Sequence, residues 1–128
     1  MAVRYITVEL ESPSNRTLPK KFYLIEKSVG HIDRDYLIKD MVRNTSLTEM
    51  EAATGIDYLF SAIPRFLELG FTVQLGRLGY FKISIRSRGS DTAAEATPDK
   101  ITGIRLHFYP GVDIREDVNR FSVEKFPE

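Results

Sequence analysis

Six cations between residues 77 and 105 carry the clearest chemistry in this chain: Arg77, Lys82, Arg86, Arg88, Lys100 and Arg105. Ammonium and guanidinium groups bind phosphate. Arginine also suits a narrow groove, because its planar, weakly hydrated cation can be desolvated there. The alternative is an ordinary solvated strand face, since charge patterning alone does not distinguish the two. Catalytic arrangements are weaker. Asp33 with Asp35, and Glu49 with Glu51, sit two apart at helix starts, where carboxylates favour the helix dipole. Ser, His and Asp are present, but none falls in a nucleophile-elbow context. Cysteine is absent, and His31 and His107 are far apart without a metal-ligand motif. No enzyme activity, cofactor or metal is expected.

The chain has 128 residues, with 18 basic and 18 acidic side chains. That length fits one domain with an extension, and domains this small often add an oligomer interface. Neutrality argues against a protein that coats nucleic acid by charge alone. The charge is uneven, however: residues 1–30 carry net +2, 31–70 net −3, 71–111 net +3 and 112–128 net −2. Positive charge therefore gathers in the strand-rich parts, as a polyanion-facing side requires. Residues 1–25 contain no apolar stretch of signal-peptide type, and nothing reaches membrane-spanning length. A cytoplasmic setting is expected.

The elements that must position these cations follow from periodicity. Residues 1–10 and 21–29 are strand-like and flank the turn cluster Ser12-Pro13-Ser14-Asn15, which predicts a hairpin. Residues 31–45 turn helical, with Asp33 as N-cap. A second helix follows, capped by Thr48 or Ser46; Ser46 and Glu49 have capping-box spacing. Its broad stripe of Ala52, Ile56, Leu59, Phe60, Ile63, Phe66 and Leu67 calls for a partner surface. Pro64 should kink its last third, and Gly70 closes it. Phe71–Leu75 and Tyr80–Ile85 alternate around a turn bracketed by Gly76 and Gly79. Residues 86–100 are polar. Ile101–Tyr109 alternates again and stops at Pro110-Gly111, before a short helix at 112–119 and a short strand at 121–126.

From about Ile32 to Asn119, this order resembles the HU/IHF family of bacterial histone-like DNA-binding proteins. The likeness rests on Leu75-Gly76-Arg77-Leu78-Gly79-Tyr80-Phe81, on Phe108-Tyr109-Pro110-Gly111, and on the helix–turn–helix unit between Asp33 and Gly70. The basic-aromatic opening, proline-bearing loop and Lys20-Lys21-Phe22-Tyr23 segment look like the extended HU-related proteins of Bacteroides-type bacteria. The resemblance implies an α+β fold in an intertwined homodimer. A helical base would carry a three-stranded sheet with a protruding β-ribbon arm, and a β-hairpin would be added at the N-terminus. It divides the chain into a hairpin extension (1–30), an HU-like DNA-binding domain (31–120, arm about 82–107, tip 89–99) and a tail (121–128). It also implies a nucleoid-associated protein that holds double-stranded DNA through the minor groove with low sequence specificity, and it makes Pro98 the candidate wedge between base steps. This arm departs from the family pattern in having no asparagine–proline tip and in carrying Asp91, Glu95 and Asp99. An acidic tip repels phosphate, so weaker, strongly salt-dependent binding is expected.

Other residues have two readings. Gly76 and Gly79 fit turn geometry with positive φ better than a phosphate loop. Phe60, Phe66, Phe71, Phe81 and Phe108 fall on apolar stripes, which makes them core or dimer interface rather than base-stacking groups. Tyr80 and Tyr109 lie on the opposite strand phase. His107 reads as a surface strand histidine. Arg16, Lys20 and Lys21 extend a DNA track or solubilise a loop. A second functional class stays open: a protein-interaction module on the HU fold, with the N-terminal hairpin recruiting a protein partner by strand addition.

Overall fold

The computed structural model describes residues 2–127. The order is β1 (Val3–Leu10), β2 (Lys21–Glu26), α1 (Arg34–Asn44), α2 (Glu49–Glu68), β3 (Val73–Gln74), β4 (Gly79–Ser87), β5 (Ile101–Pro110), α3 (Val112–Asn119) and β6 (Val123–Lys125). The strands form two three-stranded sheets, ordered β2-β1-β6 and β3-β4-β5. Together with the helices this is an α+β fold. Among the described residues, no helix is long and apolar enough to cross a membrane.

Local chemistry sets the helix ends. The Asp33 carboxylate accepts from the Tyr36 backbone N–H at 2.8 Å and starts α1. At α2 the capping box is Thr48 with Glu51, not Ser46 with Glu49. The Glu51 N–H donates to the Thr48 hydroxyl at 3.1 Å, and the Thr48 N–H donates to the Glu51 carboxylate at 3.2 Å. Both pairs have suitable spacing, but Thr45-Ser46-Leu47 is spent on the turn, where the Leu47 N–H donates to the Thr45 hydroxyl. At the far end, Gly70 (φ +94°) donates to Leu67 O, and Phe71 to Phe66 O. This is a Schellman closure, which needs a residue at ease with positive φ. α2 continues through Pro64 to Glu68. The Arg34 guanidinium grips Asp57 with two hydrogen bonds, of 3.1 and 2.8 Å, and so ties α1 to α2.

The capping box makes a testable pH signature. Its hydrogen bonds, first from the Thr48 side chain and then from the Thr48 backbone, hold the Glu51 carboxyl below the usual carboxylate range. A folded-state value below the unfolded one stabilises fully above the ordinary glutamate range. That contribution is lost as pH falls through the lowered value. Thr48→Ala should lower stability by about 1 kcal/mol. In thermal melts against pH, Glu51→Gln should remove part of the acid-side slope; an unchanged slope would show the box to be inert.

Little of the molecule is interior. Among the described residues, the buried apolar side chains are Ile38, Ala52, Ala62 and Leu67. Within one chain, Phe60, Phe66, Phe71 and Phe108 are therefore not core; Phe60 is 84% exposed and Phe71 61%. The α2 stripe is wider than the surface its own chain offers it.

The β2-β1-β6 sheet joins the two ends of the chain. β1 pairs antiparallel with β2 from Tyr5↔Glu26 to Leu10↔Lys21, as the hairpin expectation requires. On its other edge β1 pairs in parallel with β6, from Val3↔Val123 to Tyr5↔Lys125, and Arg4 forms an ion pair with Glu124.

Candidate nucleic-acid interface

β4 and β5 form a long antiparallel ribbon, paired from Gly79↔Pro110 to Ser87↔Ile101. At about 3.4 Å per residue, the ten residues of β5 make it roughly 30 Å long. Side chains alternate across a strand, so the register sorts the ribbon into two faces. One face is apolar: Phe81 opposes Phe108, Ile83 opposes Leu106 and Ile85 opposes Ile104. The Phe81 and Phe108 rings sit 4.8 Å apart. The other face pairs Tyr80 with Tyr109, Lys82 with His107, Ser84 with Arg105 and Arg86 with Gly103.

Three of the six predicted cations, Lys82, Arg86 and Arg105, therefore share one face. All three are exposed, and among the described residues none has an ion-pair partner. Lys82 and Arg86 are about 14 Å apart along the strand. Gly103, opposite Arg86, places no side chain beside it, and a Cβ built there would meet nothing within 4 Å.

The other three cations lie elsewhere. The ladder shifts between Arg86 and Ser87, a bulge of the kind that bends and twists a ribbon. Arg88 and Lys100 lie past it. The Arg88 N–H donates to Lys100 O at 2.9 Å, and its guanidinium donates to Asp99 O at 3.2 Å. Arg77 sits at the root, in the single 3-10 turn Gly76–Leu78, where its Nε donates to the Asp113 carboxylate at 2.8 Å. Arg77 thus belongs to the contact between this turn and α3, although its side chain is 88% exposed. The tip holds two more single 3-10 turns, Ala93–Glu95 and Pro98–Lys100. Pro98 opens the second of these, and the Thr97 hydroxyl beside it donates to the Asp99 carboxylate.

The root is fixed by three glycines, for two different reasons. Gly76 (φ +59°) and Gly79 (φ +134°) adopt the turn conformations expected of them. Gly111 has an ordinary φ of −65°. It is needed because Arg77-Leu78 runs directly against it: the Gly111 N–H donates to Leu78 O at 3.1 Å, and a Cβ there would collide with the Arg77 carbonyl. The two sequence motifs are one junction.

Sequence reasoning missed the organisation of the polar face. Tyr80 and Tyr109 stack with centroids 5.0 Å apart, and His107 stacks on Tyr109 at 6.0 Å. Ser84 Oγ lies 2.8 Å from His107 Nε2. The available signal was strand phase, since 80, 82, 84 and 86 fall opposite the apolar 81, 83 and 85. Of the paired carboxylates at the helix starts, Asp33 and Glu51 are caps and Asp35 pairs with Arg34. Among the described residues, no group of three His, Asp or Glu side chains is arranged to hold a metal ion.

A helix pair beside a three-stranded sheet whose last two strands extend as a basic-faced ribbon is an HU-like architecture. The chain belongs to the family described as an HU domain fused to a wHTH, Ig or glycine-rich motif, and the match covers residues 1–125. That span takes in the N-terminal hairpin and β6. Among solved structures, the chain is similar to one from Bacteroides vulgatus ATCC 8482 that is provisionally described as a bacterial DNA-binding protein, with a TM-score of 0.66 and 19% identity. The likeness covers 98% of this chain and 48% of that one, so this chain spans about half of that chain's length. At that identity it shows the fold. No curated protein matches.

Proposed function

We propose that this protein is an architectural DNA-binding protein that works as a homodimer, with β4–β5 ribbons laid in the minor groove of double-stranded DNA and little sequence preference. The observation that carries this reading is the register that sets Lys82, Arg86 and Arg105, uncompensated, on one ribbon face and all the apolar pairs on the other. Cations aimed at phosphate position a protein on DNA but carry no sequence information. Pairing of two chains is supported by the exposed α2 stripe and the half-exposed apolar ribbon face, with Phe60, Leu106 and Phe108 among the uncovered groups. In this reading 31–120 is the HU-like body, and β1, β2 and β6 form a second unit beside it. The protein acts by binding rather than catalysis and resides with the nucleoid.

Duplex affinity should fall linearly on a log–log plot against salt, with a slope of about −0.9 for each phosphate neutralised. Fluorescence anisotropy with two unrelated duplexes measures this. Similar affinities and a steep slope are expected; no binding at low salt would end the DNA reading. Asp91, Glu95 and Asp99 at the tip, together with the exposed Phe22 and Leu24 on β2, favour a second reading as a protein-assembly module. That reading predicts a protein partner lost on deletion of the hairpin.

A further inference from the structure

We infer that the polar face of the ribbon also binds single-stranded nucleic acid, with unpaired bases stacking on the platform formed by Tyr80, Tyr109 and His107. The inference rests on the reading of this face as the nucleic-acid face, and it names a ligand that a cation pattern alone would not select. Core packing does not account for these rings, because the apolar pairs of the ribbon occupy its other side. Tyr80 and Tyr109 are 37% and 42% exposed. They are also pre-positioned: the two rings stack at 5.0 Å with 25° between their planes, and His107 continues the row at 6.0 Å and 29°. Ser84 anchors the imidazole at 2.8 Å.

Cations flank the row. Lys82 pairs across the ribbon with His107, Arg105 pairs with Ser84, and Arg86 follows on the same face. Aromatic rings beside a charged track are the arrangement that holds single strands, because every base has a π-face and every nucleotide a phosphate. An intact duplex cannot use the rings, since its bases are already stacked on each other. Unpaired bases can.

The test is anisotropy of labelled oligothymidylate and of a labelled duplex, at matched low salt, with the full chain and four variants. Tyr80→Leu and Tyr109→Leu should each weaken oligothymidylate binding about tenfold, from the usual worth of one base–aromatic stack. Duplex binding should stay within twofold. Tyr80→Phe and Tyr109→Phe keep the rings and should bind both ligands like the parent. Equal losses on both ligands, or no loss on the single strand, would overturn the platform. If the parent chain binds duplex but not oligothymidylate, this inference fails and the DNA reading stands. If the parent binds neither, both fall.

Discussion

Reversing Lys82, Arg86 and Arg105 together to glutamate should weaken duplex binding by at least roughly a hundredfold at low salt and flatten its salt dependence. The three side chains share one face of β4–β5 and have no ion-pair partner among the described residues. Their charge is therefore free for phosphate. Each contact removed takes about 0.9 from the log–log slope, and each glutamate adds repulsion. Exposed, unpartnered positions change stability by only about 0.5 kcal/mol, so the variant should fold. Reversing Arg77 should do much less. Its guanidinium is held by Asp113 at the turn–α3 contact, and an exposed pair of this kind contributes about 1 kcal/mol or less. Neutralising Asp91, Glu95 and Asp99 should act in the opposite direction, strengthening binding as the tip stops repelling phosphate. Titrations of these variants across salt separate the faces; equal effects of Arg77 and the triple reversal would mean that the register has not selected the site.

The second large effect is on folding. Gly111→Ala should destabilise by roughly 3–5 kcal/mol, at the upper end of single substitutions. The added Cβ would overlap the Arg77 carbonyl oxygen and lie 2.9 Å from its carbon. Both belong to backbone held by the Gly111–Leu78 hydrogen bond, so neither can swing away. Gly79→Ala should be comparable, since its Cβ would meet Tyr109 O, lie 2.9 Å from Pro110 Cα, and sit on a residue at φ +134°. Gly55→Ala is the control: inside α2, with nothing within 4 Å, it should be neutral or stabilise by about 0.5–1 kcal/mol. Urea midpoints decide. A Gly111→Ala protein as stable as its parent would refute the junction as described.

These substitutions also show what the sequence could and could not reveal. Alternation in Phe81, Ile83, Ile85 and in Ile104, Leu106, Phe108 announced the two-faced ribbon, because strand periodicity is local. Asp33 announced α1 for the same reason. Thr48 and Ser46 were indistinguishable as caps, since both have a glutamate three residues on. The role of Gly111 was hidden because its neighbour, Arg77, is distant in sequence. The Arg77–Asp113 pair was hidden likewise. The parallel β1–β6 pairing leaves no local mark at all; it joins residues at opposite ends of the chain. Bulge placement between Arg86 and Ser87, which separates Arg88 and Lys100 from the other cations, also depends on cross-strand register.

In the proposed function, two copies act together on DNA. Sedimentation equilibrium of the chain with a short duplex tests it most directly. The free protein should sediment at twice its 14.7 kDa chain mass, and at low salt two chains should travel with one duplex and separate from it as salt rises. A species of single-chain mass that never takes up the duplex would contradict the account.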